Sequence, residues 1–225
     1  MIKRLFRTRP DAAQGLQAMR RPLAAIALCC MSAAILQGCI GMAVGGAVMG
    51  TLAATDRRTI GAQAEDKAIG VKGDVRVRNL VGSAGSVSVN SFNRKVLLTG
   101  EVRDEAMKTA VEREIAAVEG VQSIVNELSI AGVSSFTSRS NDSLITGKVK
   151  ASFVDARDIS ANTFKVVTES GVVYLMGRVT QWEGNRAAEI TRGVDGVQKV
   201  VKVFEYIDEG DLRQLSNASD TQERK

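Results

Sequence analysis

A 44-residue segment occurs twice in this chain. The first copy, Val87–Ile130, reads VSVNSFNRKVLLTGEVRDEAMKTAVEREIAAVEGVQSIVNELSI. The second, Phe164–Ile207, reads FKVVTESGVVYLMGRVTQWEGNRAAEITRGVDGVQKVVKVFEYI. Gly100 answers Gly177 and Val102 answers Val179. Val118-Glu119-Gly120-Val121-Gln122 answers Val194-Asp195-Gly196-Val197-Gln198. The offset is 77 residues at the first glycine and 76 at the second, so one residue is gained or lost between them. A helical pattern precedes each copy, at 63–79 and 142–155. Whatever fold one copy adopts, the other adopts too. Units of roughly 65–70 residues bury little core on their own, so the two copies are expected to pack together or to be individually marginal.

Each unit reads as α-β-β-α-β. In the second, Phe164–Thr168 is β-branched and aromatic, Glu169-Ser170-Gly171 signals a turn, and Val172–Val179 is the next strand. Thr180-Gln181-Trp182-Glu183 has the spacing of a capping box, which starts a helix by satisfying its free amides. That helix is expected to run to Val194 and stop at Asp195-Gly196, with Val197–Tyr206 as the last strand. In the first unit Asp104 is the expected N-cap and Gly120 the stop. Three short strands need helices over one face to bury their apolar side. The fold class is therefore α+β: two tandem αββαβ modules, each a three-stranded mixed sheet with two helices on one face.

The N-terminal region has a different logic. Residues 1–21 are basic, and Pro22–Leu36 is an apolar run. A bilayer crossing needs about 20 apolar residues, so this run is too short to span. A charged start, a short apolar core and small residues at the exit describe a secretory signal. Leu36-Gln37-Gly38-Cys39 resembles a bacterial lipobox. There the thiol takes a diacylglycerol, the chain is cut before the cysteine, and the new amino group takes an acyl chain such as palmitate. Cys29 and Cys30 leave with the signal, so no free thiol and no disulfide is expected in the mature chain. Covalent acyl chains on Cys39 are the only attached groups expected, with no other cofactor. The division follows: 1–38 signal peptide, 39–62 lipidated tether, 63–131 first module, 132–141 linker, 142–207 second module, 208–225 disordered tail. The Gly- and Ala-rich stretch 40–54 is expected to hug the bilayer surface.

Charge and composition narrow the function classes. The chain has 30 basic and 25 acidic residues, but six bases and one acid lie in residues 1–38. The remainder is balanced at 24 of each, so the basic excess belongs to the leader and no nucleic-acid partner is expected. There is no histidine, which removes the usual general base, and no thiol is left as a nucleophile. Glu112, Glu114 and Glu119 fit a solvated helix face better than a metal site. No enzyme, catalytic residue or metal is expected.

The pattern resembles the BON domain, a small αββαβ module of periplasmic and outer-membrane proteins. The resemblance rests on Leu97-Leu98-Thr99-Gly100-Glu101-Val102 with Gly120-Val121, and on Tyr174-Leu175-Met176-Gly177-Arg178-Val179 with Gly196-Val197. A lipobox, then Ala54–Gly61, then two such modules resembles the dual-BON-domain outer-membrane lipoproteins over residues 39–207. Ser140-Asn141-Asp142 and Val166–Gly177 carry the likeness most closely. The family implies a lipid anchor in the periplasmic leaflet of a Gram-negative outer membrane, and Ile40 after the cysteine, where an aspartate signals inner-membrane retention, fits that address.

The same resemblance implies that the second module binds anionic phospholipid through its first helix and supports envelope integrity, at curved or division-site membrane. On that helix Leu144, Ile145, Val149 and Phe153 are apolar, flanked by Lys148 and Lys150. Leu144 stands where family members carry an aromatic, and an aromatic prefers the headgroup region. Apolar residues entering the acyl boundary while lysines meet phosphate is the interfacial-helix pattern. The same spacing arises in any helix packed on a sheet. Ile145, Val149 and Phe153 are thus expected to be mainly core, with Leu144, Lys148 and Lys150 as the better contacts. Asp56-Arg57-Arg58 either greets lipid phosphates or solvates the linker. Gly100, Gly120, Gly177 and Gly196 are expected at turns or helix stops. An adaptor lipoprotein is the alternative: lipid as anchor only, and an envelope-protein partner bound through a sheet edge or Trp182.

Overall fold

A computed structural model describes residues 56–83, 85–132 and 136–212. The leader, Cys39, most of the tether, linker residues 133–135 and the tail from 213 lie outside the described residues. Among the described residues no helix is long and apolar enough to cross a membrane.

The first module begins with α1, Ile60–Val81. Thr59 caps it, its hydroxyl accepting from the Ala62 amide at 3.1 Å. Strands β1 (Ser86–Phe92) and β2 (Lys95–Val102) form an antiparallel hairpin with Phe92 opposite Lys95. Its two turn residues, Asn93 and Arg94, both have positive φ, the conformation that matches the twist of a two-residue hairpin. Asp104 caps α2 (Glu105–Ala116) by accepting from the Met107 amide at 2.7 Å. The chain then returns parallel to β2 as β3 (Ser123–Asn126) and β4 (Ser129–Ile130). The break falls where Leu128 turns into the core and its amide bonds the Asn126 side chain.

The second module repeats the plan with α3 (Phe136–Asp155), a 3-10 turn at Ala161–Thr163, β5 (Lys165–Glu169), β6 (Val172–Val179), α4 (Gln181–Arg192) and β7 (Lys199–Tyr206). The turn is Ser170-Gly171, both at positive φ. The capping box forms as expected. The Thr180 hydroxyl accepts from the Glu183 amide, and the Glu183 carboxylate accepts from the Thr180 amide at 2.9 Å. Strand β7 runs parallel to β6, so each sheet is mixed.

Several boundaries differ from the sequence reading. Helix α3 begins at Phe136, inside the stretch read as linker. Helix α4 ends at Arg192, and a further helical turn forms at 209–212. Gly100 and Gly177 lie inside β2 and β6 rather than at turns. They are glycines because a Cβ would strike a carbonyl, of Ser86 and of Thr163 respectively.

Strand alternation decides the layering. One face of the first sheet sends Val89, Val96, Leu98 and Val102 against Ile69, Val77, Val111 and Ile115 of its helices. One face of the second sends Val166, Val173, Leu175 and Val179 against Ile145, Val149, Phe153, Ala187 and Ala188. The opposite faces meet each other: Phe92 and Leu97 pack on Tyr174, Met176 and Val203. The result is an α/β/β/α stack with a third core between the sheets. Polar bonds stitch its margin. The Asn93 side chain donates to Glu205 at 2.6 Å, Lys95 Nζ to the Phe204 carbonyl at 3.0 Å, and Lys165 Nζ to the Ser91 carbonyl at 3.1 Å.

Candidate lipid-contact helix

Helix α3 is fixed to its module in three ways. Ile145, Val149 and Phe153 recur every four residues, so one stripe of the helix enters the core. Phe153 meets Phe164 at a tilt, with ring centroids 5.1 Å apart, and Phe164 meets Phe204 edge-on at 6.0 Å. These three residues, which the resemblance includes in the lipid-contact pattern and the helix-on-sheet spacing expects to be mainly core, are core side chains. Burial between helix and sheet leaves them no surface to offer a membrane in this fold.

The second attachment is Asp142, which is itself buried. Its carboxylate accepts from the Ser170 amide at 2.9 Å and the Gly171 amide at 2.8 Å, so the helix holds the β5–β6 turn. The third is Gly196, at φ +96, where a Cβ would meet Ile145 at 3.0 Å. The helix therefore seats against bare backbone.

The first module uses the same device 76 residues earlier. Buried Asp66 accepts from the Asn93 amide at 2.6 Å and the Arg94 amide at 2.9 Å. It also accepts from the Ser91 hydroxyl at 2.6 Å and from Arg58 at 2.8 Å. Burial alone would push this carboxyl up. The Ser91 hydroxyl, the two amides and Arg58 together hold it below the ordinary aspartate value. The sequence reading gave neither aspartate this role; their matching offset within the repeat was the available signal.

What α3 offers outward is narrower. Leu144 is 66% exposed, and Gly147, Ala151 and Val154 continue an uncovered strip along the helix. Lys148 and Lys150 are exposed beside it. Lys148 reaches Asp195 at 3.0 Å, an exposed pair that solvent screens. Lys150 has no ion-pair partner among the described residues. A Cβ on Gly147 would meet nothing within 4 Å, so this glycine serves no close packing.

Arg57 and Arg58 do neither of the jobs the sequence suggested. Arg57 forks onto Glu183 of the second module, Nη2 to Oε1 at 2.6 Å and Nη1 to Oε2 at 2.8 Å, and Nη1 also donates to the Arg178 carbonyl at 2.9 Å. Burial would raise the Glu183 carboxyl, but Arg57 and the Thr180 amide bring it below the ordinary glutamate value. Arg58 pairs with Asp56 and Asp66 and lies over the Phe92 ring at 4.1 Å. The segment entering α1 is thus strapped across both modules. Trp182, beside Glu183, is 55% exposed.

One carboxyl at the inter-sheet margin is unusual. Burial pushes Glu169 up to about 7, and the charges of Glu101 and Asp142 add to the effect. Among the described residues no group of three or more metal-ligating side chains comes together. Glu114 and Glu119 instead face Arg76 and Lys72 at the surface, and Glu112 accepts from Asn126.

Two αββαβ modules joined through their sheet faces, with hairpins pinned by helix aspartates, define a tandem-module protein of one class. The chain belongs to the BON domain family, whose profile matches residues 76–132 and 141–208. It is a dual-BON-domain outer-membrane lipoprotein. It is similar to outer membrane lipoprotein DolP of Haemophilus influenzae, 38% identical over 190 residues, covering 83% of this chain and 98% of that protein. It is 30% identical over 158 residues to 21 kDa hemolysin of Actinobacillus pleuropneumoniae, covering 68% and 79%. It is 32% identical over 117 residues to osmotically-inducible protein Y of Escherichia coli, covering 51% and 58%.

Proposed function

We propose that this lipoprotein is held by acyl chains on Cys39 in the periplasmic leaflet of the outer membrane. Its second module reads anionic phospholipid through the outer strip of α3, a non-enzymatic role that supports envelope integrity, including at the division site. The observation that carries this reading is the division of labour along α3. Ile145, Val149 and Phe153 hold the helix, leaving Leu144 uncovered between basic side chains. An exposed leucine with flanking lysines suits a headgroup boundary: the leucine enters the acyl margin and each lysine contributes on the order of 1 kcal/mol near an anionic surface. Such a contact is weak alone and becomes effective when an anchor keeps the surface close.

The test is vesicle co-sedimentation of a form lacking residues 1–39, compared with its Lys148→Glu/Lys150→Glu variant. Both lysines are exposed, so the variant keeps the fold, which circular dichroism checks. Loss of binding to phosphatidylglycerol-rich vesicles supports the reading, and unchanged binding refutes it. A second reading has one observation in its favour. Trp182 is an exposed aromatic in the first turn of α4, beside the Arg57–Glu183 strap, and it suits a protein contact. On that adaptor reading the same form ignores vesicles and captures an envelope protein in a manner lost with Trp182→Ala.

A further inference from the structure

Helix α1 of the first module is apolar on two sides. Its inner stripe, Ile69, Val77 and Val81, enters the core. Its outer stripe runs through Ile60, Ala64, Ala68, Val71 and Val75, at steps of three and four residues. In an α-helix such steps fall on one line. Ile60 is 76% exposed, Val71 65% and Val75 53%. At 3.6 residues per turn, Lys67 and Arg78 border this line on one side, and Lys72 and Arg76 on the other.

The acids of the helix are engaged within the module, although Glu65 falls in the row of Lys72 and Arg76 and Asp74 in that of Lys67 and Arg78. Asp66 is buried at the hairpin, Asp74 accepts from the Val89 amide at 3.3 Å, and Glu65 pairs with Arg94 at 2.6 Å. Lys72 reaches Glu119, in the turn after α2, at 3.4 Å, and Arg76 reaches Glu114 of α2 at 3.9 Å, both in exposed pairs. Lys67 and Arg78 have no ion-pair partner among the described residues. A strip of apolar side chains between two rows in which bases outnumber acids complements a negatively charged apolar boundary. That is a membrane surface carrying anionic headgroups.

The chain's own connectivity favours the same occupant. Asp56, where the described fold begins, is seventeen residues on from Cys39. Even fully extended at ~3.3–3.6 Å per residue, that segment spans at most about 60 Å. Helix α1 starts four residues later, so in an anchored molecule this helix lies within reach of the bilayer. We infer that the outer stripe of α1 is a second anionic-membrane contact surface, built into the first module and separate from α3. The two helix layers lie on opposite outer sides of the α/β/β/α stack, so the two surfaces face away from each other.

That opposition makes the test clean. The chain has no cysteine after Cys39, so Val75→Cys in the full lipidated chain carries a single environment-sensitive fluorophore. Leu144→Cys, in a separate preparation, reports α3 independently. In phosphatidylglycerol-rich vesicles the label at 75 is expected to shift to the blue relative to phosphatidylcholine vesicles. The shift is expected to reverse in high salt and to vanish with Lys67→Glu/Arg78→Glu, but to survive Lys148→Glu/Lys150→Glu. Equal emission at 75 in the two vesicle types overturns the inference, whatever the label at 144 does. A shift that grows with protein density in neutral vesicles also overturns it, by assigning the stripe to a second copy of the chain.

Discussion

Arg57 and Glu183 stand 126 residues apart in sequence and form a two-pronged ion pair, with side chains only 14% and 12% exposed. The strap joins the segment before α1 to the capping box of α4. Bidentate guanidinium–carboxylate pairs are among the stronger polar contacts, and removing one partner strands the other. Arg57→Ala is expected to cost about 3 kcal/mol, read as a lower urea midpoint with little change in slope. Glu183→Gln added to it should cost less than the sum, because the stranded charge is then gone. The folded-state carboxyls of Glu183 and Asp66 both lie below their unfolded values. Their stabilisation is therefore complete above the unfolded carboxylate range near 4 and is lost as pH falls through the folded values.

Glu169 carries the opposite sign. Its carboxyl is pushed up to about 7 by burial and by Glu101 and Asp142. Between the unfolded value and about 7 the folded chain holds more protons, so stability falls as pH rises through that window. Glu169→Gln removes the effect. It is expected to match the parent near pH 4 and to exceed it by about 1–3 kcal/mol above pH 7. Urea unfolding at pH 4, 6 and 8 measures it; a difference that does not grow with pH contradicts the assignment.

The partition of α3 into core and contact gives a paired prediction. Phe153→Ala empties a buried ring site and is expected to cost about 3–5 kcal/mol. Leu144→Ala changes an exposed position and is expected to stay within about 0.5 kcal/mol in stability. Binding to anionic vesicles should respond in reverse order: Leu144→Ala weakens it while the fold is intact. Thermal melts and vesicle binding on both variants separate the two roles.

Much of this architecture was legible in the sequence because a repeat states its boundaries twice. The β6 strand, the Thr180 capping box and the Asp104 cap followed from local chemistry alone. The start of α3 did not. The sequence reading places the helical pattern at 142–155, directly after a run of cap-forming residue types at Ser138, Ser140 and Asn141. In the fold the Asp142 carboxylate is spent on the Ser170 and Gly171 amides, and the helix begins six residues earlier. Unit size left open whether the two copies pack together or stand marginal alone, and the sequence did not show which faces meet. The apolar outer faces of β2 and β6 implied a cover but did not name it. The Arg57–Glu183 pair has no local signature at all. On α3 the sequence reading sets Leu144 apart from Ile145, Val149 and Phe153, and the packed structure buries those three and leaves Leu144 exposed.

The Lys148–Asp195 pair gives a gain-of-function prediction. Asp195 draws the lysine at 3.0 Å and places a negative charge beside the strip proposed to meet lipid. Asp195→Asn is expected to strengthen binding to phosphatidylglycerol-rich vesicles several-fold, in keeping with roughly 1 kcal/mol for one charge near the surface. Stability should be nearly unchanged, because the pair is exposed. Equal or weaker vesicle binding by Asp195→Asn would remove Lys148 from the contact.

The most direct measurement is a salt series on the parent form lacking residues 1–39, with phosphatidylglycerol-rich and phosphatidylcholine vesicles side by side. Lipid reading through basic side chains requires binding to the anionic vesicles only, falling steadily as salt shortens the electrostatic range from about 10 Å at 0.1 M to about 3 Å at 1 M. Binding to neither vesicle type, or equal salt-insensitive binding to both, would contradict recognition of anionic phospholipid by this protein.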